Sequence, residues 1–179
     1  MDLFGQKDAL FSVCRRYRYM LMRVWDEQLP VVAFIGLNPS LADDSDDDRT
    51  IRRVIGFSSD HGFGALYMLN LFGWVTPYPR ELARCEDPVG ENDHHLLHYG
   101  RQASTVVFAW GASPFTRPRL AFIRKHFPKG QCLAVNRDGS PGHPLFLNRR
   151  SRLSEYTWPS GHLAGLTSGK GAIILEPSN

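Results

Sequence analysis

Residues 31–40 read VVAFIGLNPS, an apolar run that passes directly into a glycine, an asparagine, a proline and a serine. The run at 31–35 is bounded by Pro30 and Gly36, which is typical of a strand buried on both faces. Ligands bind beyond the carboxyl ends of the strands in a parallel sheet. This stretch therefore predicts both a buried parallel strand and one wall of a binding site.

Similar apolar runs recur along the chain, at 65–69, 105–109 and 131–135. Helical patterns lie between the runs, at 50–61, 91–102 and 118–127. Thr50 is the expected N-cap of the first helix, with Asp48 as the alternative. Strands that alternate with helices at this spacing form parallel βαβ units. The pattern predicts an α/β fold, a three-layer α/β/α sandwich around a mainly parallel sheet of about four strands.

The two ends of the chain are expected to add less to this core. Residues 2–13 suggest a short helix, and residues 17–23 alternate in the manner of an edge strand. The 179 residues fit one domain with a real core, which we assign to residues 1–150. Residues 151–179 are rich in Gly, Ser and Pro. They predict a C-terminal extension that packs in part as a loop and is disordered at its extreme end.

Charge is distributed unevenly along the chain. The 21 Lys and Arg against 18 Asp and Glu give a net charge of +3, which neither requires nor excludes a nucleic-acid partner. Five aspartates concentrate in one loop, as Asp43, Asp44, Asp46, Asp47 and Asp48. The position of the charges is therefore more informative than their sum.

Three widely spaced cysteines, Cys14, Cys85 and Cys132, argue against a disulfide framework and against a zinc knuckle. The N-terminal sequence lacks the pattern of a signal peptide, and no apolar run approaches the roughly 20 residues of a membrane helix. We expect a reduced, cytoplasmic protein that has no membrane partner and needs no protein partner.

Polar and small residues follow all four predicted strands. Asn38 follows the first strand, Asn70 closes the second, Trp110 and Gly111 end the third, and residues 142–147 (GHPLFL) come after the fourth. In this order, the motifs GLNPS, LNLF, FAWG and HPLFL resemble those of the uracil-DNA glycosylase superfamily. A nearer resemblance, to the family called domain of unknown function 1643, is carried by IGLNPS-x-A-D, TIRR-x-IGF, NLF, DPVG-x-ND, AWG and HPLFL over roughly residues 17–147.

The superfamily resemblance implies a glycosylase-like fold and cleavage of the bond between a base and its sugar. It implies that Asn38 positions the attacking water, that Asn70 pairs with the base edge, and that His143 donates to a base oxygen as negative charge grows there. The other residues expected to contact substrate are Gly36, Leu37, Pro39 and Ser40, together with Phe72, which would stack on the base. No cofactor and no resident metal are expected.

The chain departs from the superfamily pattern at two points. Leu145 replaces a serine that contacts phosphate in the relatives, and an amide at Asn38 is a weaker activator of water than a carboxylate. The acidic loop supplies three further candidates for a general base or Mg²⁺ ligands, namely Asp43, Asp47 and Asp48. Its ordinary interpretation is a solvated loop. Arg52 and Arg53 contact phosphate or balance these acids.

The leading hypothesis is therefore a glycosylase-like hydrolase that cleaves the N-glycosidic bond of a base, modified bases included, in DNA or in a nucleotide. One alternative is a nucleotide- or nucleic-acid-binding module without catalysis. Another is a metal-assisted enzyme on free nucleotides that uses the acidic loop. The plainest interpretation keeps Asn38 as a turn residue and His143 as a structural histidine.

Overall fold

The structure, a computed structural model, describes residues 5–40, 42 and 46–159. Within this part of the chain, a mixed sheet of seven strands is flanked by three α-helices. The strands are β1 Lys7–Phe11, β2 Arg18–Val24, β3 Val31–Gly36, β4 Ala65–Asn70, β5 Thr105–Phe108, β6 Gln131–Cys132 and β7 Ser154–Glu155. The helices are α1 Arg49–Asp60, α2 Asn92–Gln102 and α3 Arg117–His126, and short 3₁₀ turns form at Pro79–Ala83 and Pro144–Phe146.

The strands lie in the order β1-β2-β4-β3-β5-β6-β7. β4, β3, β5 and β6 are parallel neighbours, and each begins at the first residue of a predicted apolar run. β1, β2 and β7 pair antiparallel at the two sides of this group. The predicted α/β class is confirmed. The prediction of a mainly parallel sheet of about four strands is corrected to a mixed sheet, because a hairpin and a final strand extend it.

Three predicted elements differ from the structure. The strand predicted at the sheet edge from residues 17–23 forms as β2 but is not at the edge, because β1 pairs with it on the side away from β4. In place of the helix predicted at 2–13, the described part forms β1, in which Leu10 pairs with Met20 of β2. The pairing with β2, and not the pattern of the segment itself, determines this conformation, because strand formation depends on cross-strand packing more than on intrinsic preference. The strand predicted at 131–135 ends at Cys132. Beyond it the chain turns back on itself, and Val135 forms a bridge with Pro141.

The helices cover both faces of the sheet. Val32 and Phe34 of β3 pack in one apolar cluster with the buried side chains of α1. Ala33 and Ile35 pack in a second cluster, which includes α2 and α3 residues. Successive side chains of a strand point to opposite faces, so α1 covers one face and α2 and α3 cover the other. The four-residue alternation of β3 thus separates the two cores.

Two boundaries bear on the site. α1 begins at Arg49 because the Asp48 carboxylate, at Oδ1, accepts a hydrogen bond from the Ile51 N–H at 2.8 Å. Asp48 is therefore the N-cap, and Thr50 lies in the first turn. The second boundary is the end of the domain predicted at residue 150. Beyond it, Tyr156 is buried beside β5 and donates from its hydroxyl to the Gly139 carbonyl at 2.7 Å. The disordered end predicted within 151–179 falls on residues 160–179, which lie outside the described residues.

None of the helices in the described part of the chain combines the length and apolar composition that crossing a membrane requires.

Candidate functional site

A pocket of about 600 Å³ opens beyond the carboxyl ends of β3, β4, β5 and β6. Its walls come from the loops that follow these strands, from the start of β2 and from the first turn of α1. The apolar part of the wall consists of Leu37, Ile51, Met68, Pro77, Pro79, Trp110, Leu145, Phe146 and Leu147. The polar part consists of Arg18, Asn38, Ser40, Asp48, Thr50, Asn70, Ser113, Asn136 and His143.

Asn70 lies at the base of the pocket with its side chain almost wholly buried, at 2% exposure. Its Nδ2 is buried and makes no hydrogen bond within the described residues. Gly36 makes room for this side chain, because a Cβ at Gly36 would lie 2.8 Å from the Asn70 Oδ1 and 2.6 Å from the Met68 Cε. A buried donor without a partner costs free energy. The pocket therefore presents an N–H pair that a ligand acceptor would satisfy.

The side chain of Asn38, unlike that of Asn70, is fixed by hydrogen bonds to backbone carbonyls. Its Nδ2 donates to the carbonyl of Pro39 at 2.9 Å and to that of Thr76 at 2.8 Å. Both amide hydrogens are thus used by the loop, and the carboxamide cannot rotate without losing both bonds. The Oδ1 is an acceptor that receives no hydrogen bond from the described residues. Asn38 can therefore accept a hydrogen bond from a water or hydroxyl in the pocket.

His143 lines the opposite side of the pocket, after β6. Its Nδ1 accepts a hydrogen bond from the Leu145 N–H at 3.3 Å, which leaves the ring proton on Nε2. Burial lowers the pKa of His143 below its usual value, and the negative charge of Asp48 opposes this effect. Gly111 adopts a positive φ of 74°, and a Cβ there would lie 2.9 Å from the His143 Cβ. His143 is therefore a neutral donor whose position depends on a glycine turn.

One carboxylate and one guanidinium bring charge to the described lining of the pocket. Asp48 uses Oδ1 to cap α1, while its Oδ2 makes no hydrogen bond within the described residues. Arg18 is buried at 3% exposure, and its guanidinium donates to the Ala42 carbonyl. A base and a cation thus face the same pocket that holds two asparagines and a histidine.

A comparison with protein families gives one match. The family described as "Protein of unknown function (DUF1643)" matches residues 18–145. The chain belongs to this family. No curated protein and no solved structure matches the chain. The nearer of the two resemblances is therefore confirmed, while the resemblance to the uracil-DNA glycosylase superfamily rests on short motifs alone.

The region matched by DUF1643 contains most of the predicted site residues. Gly36, Leu37, Asn38, Ser40, Asn70 and His143 all line the pocket. Pro39 is buried behind it, where its carbonyl accepts from Asn38 and from the Thr76 N–H. Phe72 belongs to the apolar core on the α2 and α3 face, so it does not line this pocket and the stacking expected of it is not available.

The three acidic candidates separate in the DUF1643 structure. Asp48 lines the pocket, whereas Asp47 forms ion pairs with Arg23 at 2.7 Å and with Lys7 at 3.5 Å. Asp43 lies outside the described residues. Among the residues that are described, no group of three or more His, Cys, Asp or Glu side chains is placed to hold a metal ion. Asp48 is thus the candidate that the described geometry leaves for acid–base work.

The two arginine candidates border the pocket without lining it. Arg52 is exposed and Arg53 donates to the Leu147 carbonyl, and with Arg49 and Leu145 they line a separate shallow groove. Leu145 lines both the groove and the pocket. The two features are therefore adjacent, with one leucine between them.

Several lining residues of this DUF1643 chain escape sequence reasoning. Asn136 and Ser113 belong to loops whose path depends on the fold as a whole. Arg18 gives a faint signal, because it opens the mostly apolar strand RYMLMRV, in which Arg23 is the one other charged residue. Phe146 is 85% exposed at the mouth of the pocket, with its ring 5.5 Å from that of His143.

Proposed function

We propose that this protein hydrolyses the N-glycosidic bond between a nucleobase and its sugar. The observation that carries the proposal is that Asn38 in the loop after β3, Asn70 at the end of β4 and His143 in the segment after β6 line one pocket. Two of them offer donors and one offers a fixed acceptor. This combination suits a flat, oxygen-bearing base and an attacking water better than it suits an apolar ligand.

Asn70 is proposed to read the base. Its unpartnered Nδ2 would donate to a base oxygen or ring nitrogen, and its Oδ1 would accept from a base N–H. The absence of a side chain at Gly36 makes room for this carboxamide at the end of β4. An amide-like base edge, as in a pyrimidine, matches this donor and acceptor pair.

His143 is proposed to stabilise the leaving base. As the bond from C1′ to the base nitrogen breaks, its electron pair goes to the base, and negative charge collects on the base oxygens. The neutral imidazole would donate from Nε2 to such an oxygen. Preorganised donors of this kind act where charge develops in the transition state. The base then takes up the proton that the attacking water releases, and it leaves as a neutral molecule.

Asn38 is proposed to orient the attacking water, and Asp48 is proposed to deprotonate it. The Asn38 Oδ1 would orient a water toward C1′, and the Asp48 Oδ2 would take a proton from it as the new C–O bond forms. The products are a free base and a sugar that carries a hydroxyl at C1′. This assignment gives Asp48 the basic role that an amide cannot perform.

The test is a screen of oligonucleotides with normal and modified bases and of free nucleotides, with released base measured by mass spectrometry. On the best substrate, Asn38→Ala, Asn70→Ala and His143→Gln are each expected to lower turnover by at least tenfold. Asp48→Asn keeps an N-cap and is expected to lower turnover by about a hundredfold without loss of stability. His94→Gln, on the exposed surface of α2, is the matched control.

Full turnover in all the pocket variants would contradict the proposal. Folding must be checked for each variant by urea unfolding. Asn70→Ala is expected to unfold at the same urea concentration as the parent protein or at a higher one, because the change removes a buried donor that has no partner. Loss of turnover in that variant can then be attributed to the site.

A second candidate function is a nucleotide- or nucleic-acid-binding module without catalysis. The observation in its favour is the amide at Asn38, both of whose hydrogens are committed to backbone carbonyls. Calorimetric binding of a nucleotide or oligonucleotide, without any released base, would favour this function. The metal-assisted alternative gains no support from the described residues, since Asp47 is held in ion pairs.

A further inference from the structure

A strip of arginine side chains borders the pocket on the α1 side. Three members come from the first half of α1, and three come from the segment that follows the 3₁₀ turn at Pro144–Phe146. They are Arg49, Arg52, Arg53, Arg149, Arg150 and Arg152, and all except the half-buried Arg53 are exposed. We call this set the arginine strip.

Contacts along α1 bring the two halves of the strip onto one surface. Arg53 donates to the Leu147 carbonyl, and the Arg149 Nε lies 3.7 Å from the Asp60 Oδ2. Farther along, the Leu153 N–H donates to the His61 Nε2 at 3.2 Å. The segment 147–153 therefore runs beside α1 from its first half to its end.

The arginine strip is longer than the reach of the phosphates of a single nucleotide bound in the pocket. α1 has 12 residues, and a helix of that length extends about 18 Å. The phosphates of a mononucleotide bound in the pocket would reach the near end of the strip only. A longer polyanion could contact arginines along the whole of it.

Acidic neighbours occupy only part of this surface. Asp60 pairs with Arg149, and Asp47 pairs with Lys7 and Arg23. Asp48 caps α1 and faces the pocket, and Asp46 is exposed three residues before Arg49. Arginines outnumber these acids among the described residues along the strip, so this part of the surface is cationic.

An exposed aromatic ring lies where the strip meets the pocket. Phe146 is 85% exposed, and its neighbour Leu145 lines both the pocket and the groove that Arg49, Arg52 and Arg53 form. The His143 ring lies 5.5 Å from the Phe146 ring, and the described residues leave most of this large apolar side chain uncovered. Aromatic side chains beside arginine grooves offer bases a stacking surface.

We propose that the arginine strip binds the sugar–phosphate backbone of a nucleic-acid strand, while Phe146 stacks on a base next to the one in the pocket. The proposal deepens the proposed function, on which it rests for the base that enters the pocket. It makes a polymer the substrate, and it makes a free nucleotide a weak ligand.

The experiment measures the binding of a fluorescein-labelled 15-nucleotide DNA strand by anisotropy, over a series of NaCl concentrations. The parent protein is compared with Arg49→Gln/Arg52→Gln, which spares the contact between Arg53 and Leu147. Each phosphate contact contributes about 0.7 to the slope of log affinity against log salt for a single strand. The double variant is therefore expected to have a slope shallower by about 1.4. Arg101→Gln/Arg117→Gln, two exposed arginines on α2 and α3, is the matched control and is expected to keep the parent slope.

Two further measurements separate the contribution of base stacking from that of the phosphate contacts. Phe146→Ala is expected to weaken strand binding by roughly tenfold and to leave the salt slope unchanged, because stacking is not ionic. Deoxyuridine monophosphate is expected to displace the strand only at concentrations at least a hundredfold above the strand's Kd, since it reaches few of the arginines.

Several outcomes would overturn the proposal. An unchanged slope in Arg49→Gln/Arg52→Gln, an equal change in the α2 and α3 control, or equal displacement of the strand by polyglutamate or by anionic vesicles each contradicts it. Strand binding through the strip without any base release would refute the proposed hydrolysis alone. Base release from nucleotides with no role for the strip would refute this inference alone.

Discussion

Two asparagines in the pocket experience opposite surroundings. Both amide hydrogens of Asn38 are satisfied by backbone carbonyls, whereas the Nδ2 of Asn70 is buried and has no partner in the part of the chain that the structure describes. A buried, unsatisfied donor costs about 1–3 kcal/mol. A ligand acceptor at Asn70 would recover part of that cost on binding. The structure thus fixes the carboxamide of Asn38 and leaves the Nδ2 of Asn70, which has no partner among the described residues, open to a ligand acceptor.

The first prediction concerns His143 and pH. Because its pKa is lower in the folded protein, the unfolded chain takes up a proton that the folded chain does not, as pH falls below about 6.5. His143 therefore makes the free energy of unfolding fall as pH drops through this range. In His143→Gln the fall between pH 7.5 and 5.5 is expected to be smaller, as measured by urea unfolding.

The control for this prediction is a second histidine. Burial also lowers the pKa of His95, with help from the charge of His94, so His95 contributes a fall of the same sign in both proteins. Some pH dependence should thus persist in His143→Gln. An identical pH profile in the parent protein and in the variant would show that His143 does not titrate as its surroundings require.

The sequence identifies some residues of the site and misses others for clear reasons. Asn38, Asn70 and His143 could be found because each follows a buried strand, and the carboxyl ends of parallel strands meet at one edge. Phe72 follows β4 as Asn70 does, but its side chain packs in the core on the α2 and α3 face. Arg18 was missed because β2 is antiparallel, so it is the start of this strand that reaches the pocket.

At the scale of the elements, the pocket depends on how the strands end. Gly36 ends β3 with no side chain, which admits Asn70, and Gly111 follows β5 in a left-handed turn beside His143. After β6, the chain folds back so that Asn136 and His143 both reach the pocket. The ends of the strands thus support the pocket, and the absence of side chains at Gly36 and Gly111 leaves room in it for Asn70 and His143.

The second prediction tests the turn at Gly111. An alanine there must adopt a φ near 74° and also places its Cβ 2.9 Å from the His143 Cβ. Gly111→Ala is expected to lower the free energy of unfolding by about 2 kcal/mol and to reduce base release. Gly62 is the matched control, because it has a φ of 80° with open space around it.

Gly62→Ala has the backbone strain without the clash. It is expected to lose about 1 kcal/mol in urea unfolding and to release base at the parent rate. Equal stability losses in the two variants, with equal activity, would mean that the contact with His143 is of no consequence.

The strands and helices of the parallel core were predictable because each carries its apolar run or helical pattern within its own residues. β1 and β7 were not, because each is short and is defined by its pairing with another strand, β1 with the neighbouring β2 and β7 with β6, which lies more distant in sequence. The same reasoning explains the start of α1. Asp48 and Thr50 are both good cap residues by type, and only the backbone geometry shows that Asp48 accepts from Ile51.

At the scale of the whole molecule, ion pairs connect the antiparallel hairpin to the pocket. Arg23 of β2 is 3% exposed, and it binds Asp47, which directly precedes the helix cap Asp48. Lys7 of β1 adds a second contact to the same carboxylate. The acidic loop is therefore tied to the sheet at this point rather than fully solvated, and the hairpin contributes to the position of Asp48.

The third prediction tests this connection. Asp47→Ala leaves the buried Arg23 guanidinium without its carboxylate, so the free energy of unfolding is expected to fall by about 3 kcal/mol. Base release should also decline, because Asp48 loses its anchor. Asp60→Ala is the control, since its pair with Arg149 is exposed and should cost less than about 1 kcal/mol. Urea unfolding of both variants in low and high salt decides the matter: a loss for Asp47→Ala no larger than that for Asp60→Ala would show that the hairpin and the pocket are not coupled through this pair.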